Sequence, residues 1–72
     1  MTMNKNAIGN NITSLLTDRN MTQKEFAKEI NATEACVSRW ASGKRIPTAY
    51  ALYRIARLFG VTVDSLLVHI ED

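Results

Sequence analysis

MTQKEFAKEINATEACVSRWASG, from Met21 to Gly43, reads as two short helices joined by a tight turn. Thr22 suits an N-cap, because its hydroxyl can accept from the orphan amides of a first turn. Glu25, three residues on, can reach back to the Thr22 amide and complete a capping box. Phe26, Ala27 and Ile30 then fall on one helical face, with Gln23, Lys24, Lys28 and Glu29 on the other. Asn31 follows, a residue that tolerates the left-handed conformation needed for a sharp turn. Thr33 caps a second helix, which buries Val37 and Trp40 and stops at Gly43. Its other face carries Thr33, Glu34, Ala35, Ser38 and Arg39, a polar, hydrogen-bonding edge.

A short polar edge of this kind, backed by a buried one, suits insertion into a DNA major groove, and the pair of helices matches a helix-turn-helix. The chain resembles the lambda-repressor-like, Xre/Cro-type family of bacterial and phage DNA-binding proteins. The resemblance rests on Thr22-Gln23-x-x-Phe26-Ala27, Val37-Ser38-Arg39-Trp40-x-x-Gly43, Pro47, Ile55-Ala56 and Phe59-Gly60-Val61. It extends from about Ile8 to Leu67, so the order and spacing carry it rather than any one tetrapeptide.

The resemblance implies a compact, all-α, five-helix lambda-repressor-like domain with its helix-turn-helix at helices 2 and 3. Residues 1–72 then form a single domain with a core over about 6–70. It also implies roles for individual residues. Thr33, Glu34, Ala35, Ser38 and Arg39 fall where family members touch bases. Arg39 can donate two bonds to guanine, Glu34 can accept from cytosine, and Ala35 can meet a thymine methyl. Glu34 has an alternative role in favourable interaction with the helix dipole. Thr22, Gln23, Ser42, Lys44 and Arg45 fall where the family meets phosphates. Trp40 shares the Val37 face and reads as core rather than as a stacking platform, and Cys36 reads as a small filler.

Composition sets bounds on this reading. A chain of 72 residues with 46% hydrophobic content supports one small core and little more. No apolar run is long enough for a membrane span, and the first residues lack a signal-peptide pattern, so a cytoplasmic, nucleoid-associated protein of bacterial or phage origin is expected. The net charge of +2 says little, but its distribution says more. From Arg19 to Arg57 there are eight basic residues against three acidic ones, while elsewhere Lys5 stands against Asp18, Asp64, Glu71 and Asp72. Cys36 and His69 form no metal-binding pattern, no nucleophile–base set is present, and no glycine loop for phosphate appears. An enzyme, a cofactor and a small-molecule ligand are therefore not expected.

Outward from the motif, Ile8, Ile12, Leu15 and Leu16 define a first helix from about Asn6 to Arg19, with Asn20 at its end. Gly9 inside it costs up to ~1 kcal/mol relative to alanine and predicts a loose first turn. The family often has arginine at the Leu16 position and glutamate at the Ala41 position, as a semi-buried ion pair. Both are replaced here by apolar residues, and exchanging both partners avoids a stranded charge. Thr48 caps a fourth helix with Leu52, Ile55, Ala56 and Phe59 inward, and Gly60 ends it. Thr62 caps a fifth, with Val61 stapling against Leu66, and no strand is expected. Val63, Leu67 and Ile70 are spaced as a second helical stripe pointing away from the core, which predicts a homodimer interface. The partners expected are thus double-stranded DNA and a second copy. The rival from another class is an antitoxin-like protein-interaction module using the same fold.

Overall fold

The computed structural model describes residues 2–3 and 5–69, with side chains over 7–68. Its elements in order are β1 (Thr2–Met3), α1 (Lys5–Asp18), α2 (Gln23–Glu29), α3 (Glu34–Ala41), α4 (Ala49–Phe59), α5 (Val63–Leu67) and β2 (Val68–His69). Four helices start in the same way. The hydroxyls of Thr22, Thr33, Thr48 and Thr62 accept from the amides of Glu25, Cys36, Ala51 and Ser65 at 3.0–3.1 Å. At α2 the box is complete, with the Thr22 amide donating to Glu25 Oε1 at 2.9 Å.

Four helices also stop in the same way. Asn20, Asn31, Gly43 and Gly60 have φ of 54°, 59°, 79° and 69°. The next amide reaches back five residues each time: Met21 to Leu16, Ala32 to Ala27, Lys44 to Arg39 and Val61 to Ala56, at 2.8–3.0 Å. This left-handed stop satisfies carbonyls that a helix end would otherwise leave orphaned.

The expected apolar faces converge on one core of Ile8, Ile12, Leu16, Phe26, Ala27, Ile30, Val37, Trp40, Leu52, Ile55, Ala56, Phe59 and Leu66. Phe26 and Phe59 stack at its centre, with ring centroids 5.5 Å apart. Trp40 is buried with them, and Cys36 packs half-buried at the edge. Leu16 is buried and Ala41 half-buried.

Three features depart from the sequence reading. The first is Gly9, which sits buried where α1 crosses the end of α3. A Cβ there would lie 2.6 Å from the carbonyl oxygens of both Trp40 and Ala41. Glycine at this point lets two backbones approach and does not loosen a turn.

The second is a clasp from Asn11, whose Nδ2 donates to the carbonyls of Ser65, Leu66 and Val68 at 3.2, 3.0 and 2.8 Å. Those are carbonyls that a longer α5 would use, and the chain turns extended at Val68, with φ −117° and ψ 147°. The third follows from it. Val68–His69 pairs antiparallel with Thr2–Met3, so the helical fold carries a two-residue ladder joining the ends of the described chain.

Substituting Gly9→Ala tests the close approach. Helix propensity alone would favour alanine by ~1 kcal/mol, whereas the contact with backbone oxygens predicts a net loss of about 1–3 kcal/mol. Urea denaturation measures it, with Asn10→Ala on the exposed side of α1 as the control expected to be near neutral.

Candidate nucleic-acid interface

The turn between α2 and α3 determines what α3 presents. Asn31 turns left-handed, and the Ala32 amide bonds back to Ala27. Thr33 then starts the second helix, with Val37 and Trp40 fully inward. Helical geometry leaves Glu34, Ala35, Ser38 and Arg39 exposed on the opposite face. The four predicted base-contacting residues inside α3 therefore share one open surface. Thr33 is exposed at its N-terminal edge, where its oxygen accepts from Cys36.

The predicted phosphate contacts fall on two other segments, the start of α2 and the loop after α3. Thr22 and Gln23 stand at the start of α2, with Thr22 exposed and Gln23 half-buried. Together with Thr13, Leu16, Thr17, Asn20 and Met21 they line a shallow groove between the end of α1 and the start of α2. Beyond the end of α3, Ser42, Lys44 and Arg45 are exposed. The Ser42 hydroxyl and the Lys44 and Arg45 amides all converge on the carbonyl of Arg39, at 3.2, 2.9 and 3.2 Å. That convergence fixes the backbone from which the two cations project. Among the described residues no cluster of His, Cys, Asp and Glu could hold a metal ion.

The structure redistributes the basic excess. Arg19 does not join the α3 surface. Its Nη2 donates to the Phe59 carbonyl at 3.1 Å and its guanidinium lies 4.8 Å from the Phe59 ring centroid, so it caps the end of α4. Arg54 and Arg57 stack on Tyr50 and Tyr53 along α4. Sequence periodicity alone gave no signal for Arg19, because its partner lies 40 residues away.

The predicted dimer stripe is altered too. Val63 and Leu67 are half-buried and pack against the core rather than standing clear of it. The helix ends at Leu67, so the spacing that joined these two to Ile70 does not continue, and Ile70 lies outside the described residues.

A small helical fold whose second and third helices present this surface is a helix-turn-helix domain of the DNA-binding class. Residues 12–66 match the Helix-turn-helix family, and the chain belongs to it, within its lambda-repressor-like, Xre/Cro-type branch of transcription regulators. The chain is 38% identical over 53 residues to the HTH-type transcriptional activator BcrR of Enterococcus faecalis. That match covers 74% of this chain but 26% of BcrR, so the chain spans about a quarter of that relative. It is 26% identical over 53 residues to the HTH-type transcriptional regulator MJ0272 of Methanocaldococcus jannaschii, covering 74% of this chain and 80% of that one. In fold it is similar to a transcriptional regulator from Listeria innocua, with TM-score 0.81 at 22% identity, over 90% of this chain and 61% of that one. It is also similar to a LexA SOS-response repressor from Eubacterium rectale, with TM-score 0.81 at 23% identity, over 100% of this chain and 83% of that one. No helix among the described residues is long and apolar enough to cross a membrane.

The capping box at the start of α2 includes a titratable carboxyl. The Thr22 amide and hydroxyl hold the Glu25 carboxyl below its ordinary value. A lowered folded value means that the stabilisation is complete above the ordinary carboxylate range and is lost as pH falls through the folded value. The chain should therefore lose more thermal stability on acidification than its Glu25→Gln variant. Melting curves from neutral pH down through the carboxylate range provide the comparison.

Proposed function

We propose that residues of about 6–70 form one sequence-specific, double-stranded DNA-binding domain that represses transcription by occluding a promoter. The observation that carries this reading is the open face of α3, Glu34-Ala35-Ser38-Arg39, followed by a loop on which Lys44 and Arg45 are exposed. With α3 in the major groove, Arg39 donates two bonds to guanine, Glu34 accepts from cytosine N4, Ala35 meets a thymine methyl, and Thr33 and Ser38 hydrogen-bond to base edges. Thr22, Gln23, Ser42, Lys44 and Arg45 hold the backbone and set the register. The protein acts in the cytoplasm, where its DNA lies.

A single module makes few base contacts, so specific affinity calls for a homodimer on an inverted repeat, with half-sites about one helical turn apart. The exposed parts of Val63 and Leu67 supply the contact in this reading. BcrR is an activator, but most of its length lies outside the stretch it shares with this chain. Occlusion asks nothing more than the shared DNA-binding unit.

Two measurements test the reading. Arg39→Ala is expected to cost ~1–3 kcal/mol of specific binding and to relax preference at one base pair. Lys44→Ala should weaken all sequences alike and lower the salt slope by roughly one. Equal loss on specific and random duplexes for Arg39→Ala would remove its base contact. For the dimer, Val63→Asp and Leu67→Asp should sediment as folded monomers with weakened operator binding, with circular dichroism confirming the fold. Variants that remain folded and dimeric would place the contact elsewhere.

A further inference from the structure

α4 carries a second exposed surface that the DNA-binding reading does not use. Tyr50, Tyr53, Arg54 and Arg57 recur at helical spacing on its outer side, opposite the buried Leu52, Ile55, Ala56 and Phe59. Tyr50 is 67% exposed and Tyr53 51%, although each ring is large and largely apolar. Arg54 Nη1 donates to the Tyr50 hydroxyl at 3.2 Å, and Arg57 Nη1 to the Tyr53 hydroxyl at 3.2 Å. Each guanidinium also lies near its ring, 5.7 and 5.8 Å from the centroid. Each pairing uses one of the five N–H donors of its arginine and holds the guanidinium beside a ring.

We propose that this face of α4 docks an acidic, amphipathic segment of a partner protein. The shallow groove along it is lined by Tyr50, Tyr53, Arg54, Arg57, Leu58 and Glu29. Tyrosine and arginine are enriched at protein interfaces, where preorganised side chains lose less entropy on binding. Charge complementarity selects the occupant. Two guanidiniums held beside tyrosine rings call for carboxylates, which they engage in bidentate fashion, while the exposed rings call for an apolar stripe beside them.

A second copy fits poorly. A two-fold contact would set guanidiniums against guanidiniums, with Glu29 as the one carboxylate lining the groove. A DNA backbone would meet the charge but leave the exposed tyrosine rings without an apolar partner. The face also starts beside the α2–α3 turn and climbs to Glu29, the last residue of α2, whereas Gln23 at the other end of α2 faces the duplex in the proposed docking.

The test titrates the isotope-labelled chain with helical peptides that carry a leucine stripe flanked by glutamates, or the same stripe flanked by glutamines. Amide shifts are expected along α4 with the glutamate series, and binding roughly tenfold weaker with the glutamine series. Arg54→Gln/Arg57→Gln and Tyr50→Ser should each weaken glutamate-peptide binding to a similar degree, with circular dichroism, DNA affinity and its salt slope unchanged. Equal binding of the two series, shifts that leave α4 untouched, or no binding at millimolar peptide would overturn the proposal. So would two results with the arginine double variant: a lower DNA salt slope, which would make the face a DNA contact, or lost self-association, which would make it a contact between copies.

Discussion

Everything that α3 offers depends on the turn that precedes it. Asn31 accepts the left-handed conformation, and the Ala32 amide closes onto the Ala27 carbonyl at 2.8 Å. Those bonds let α3 lie across the core with Val37 fully buried and Trp40 nearly so. Once these two point inward, the positions of Glu34, Ala35, Ser38 and Arg39 follow from helical geometry. The apolar side of α3 and its polar side are one constraint seen from two directions. A substitution that tilts Val37 out of the core would therefore move the outer face without touching any residue on it.

The rest of the molecule keeps short helices intact around that turn. Isolated helices of seven or eight residues, the lengths of α2 and α3, are unstable in water. Here threonine hydroxyls close the starts of α2, α3, α4 and α5, and left-handed residues close the ends of α1 to α4. Side chains from α1 finish what local bonds do not reach. Asn11 takes the carbonyls at the end of α5, and Arg19 takes the last carbonyl of α4 while covering the Phe59 ring. Among the described residues no buried side-chain nitrogen or oxygen lacks a partner. For a core this small, such completeness matters, because each unsatisfied buried group costs ~1–3 kcal/mol.

The local part of this design is legible in the residues themselves. Thr22, Thr33, Thr48 and Thr62 announce helix starts because a cap bonds within three residues of itself. Asn20, Asn31, Gly43 and Gly60 announce stops for the same reason of range. The apolar spacing of α1 to α4 then assigns the core, and the unused face of α3 becomes the candidate surface by subtraction. What the chain does not announce is long-range. Asn11 bonds to residues 54–57 positions away, and Gly9 meets a helix end 31 or 32 residues later. Nothing near Gly9 distinguishes a glycine required by a backbone crossing from one that weakens a helix. Periodicity carried the dimer stripe through to Ile70 because it could not register that Asn11 takes the carbonyls which would extend α5. The tyrosine–arginine face of α4 was readable as a pattern at i and i+4, but its meaning depends on which side of α4 the core occupies.

Selection of bound sites from random double-stranded DNA decides whether the open face of α3 reads duplex sequence. A face that reads sequence should enrich a short inverted repeat containing guanine in each half, with half-site centres about one helical turn apart. Recovery of sequences no different from the starting pool, at salt concentrations where the protein still binds, would contradict it.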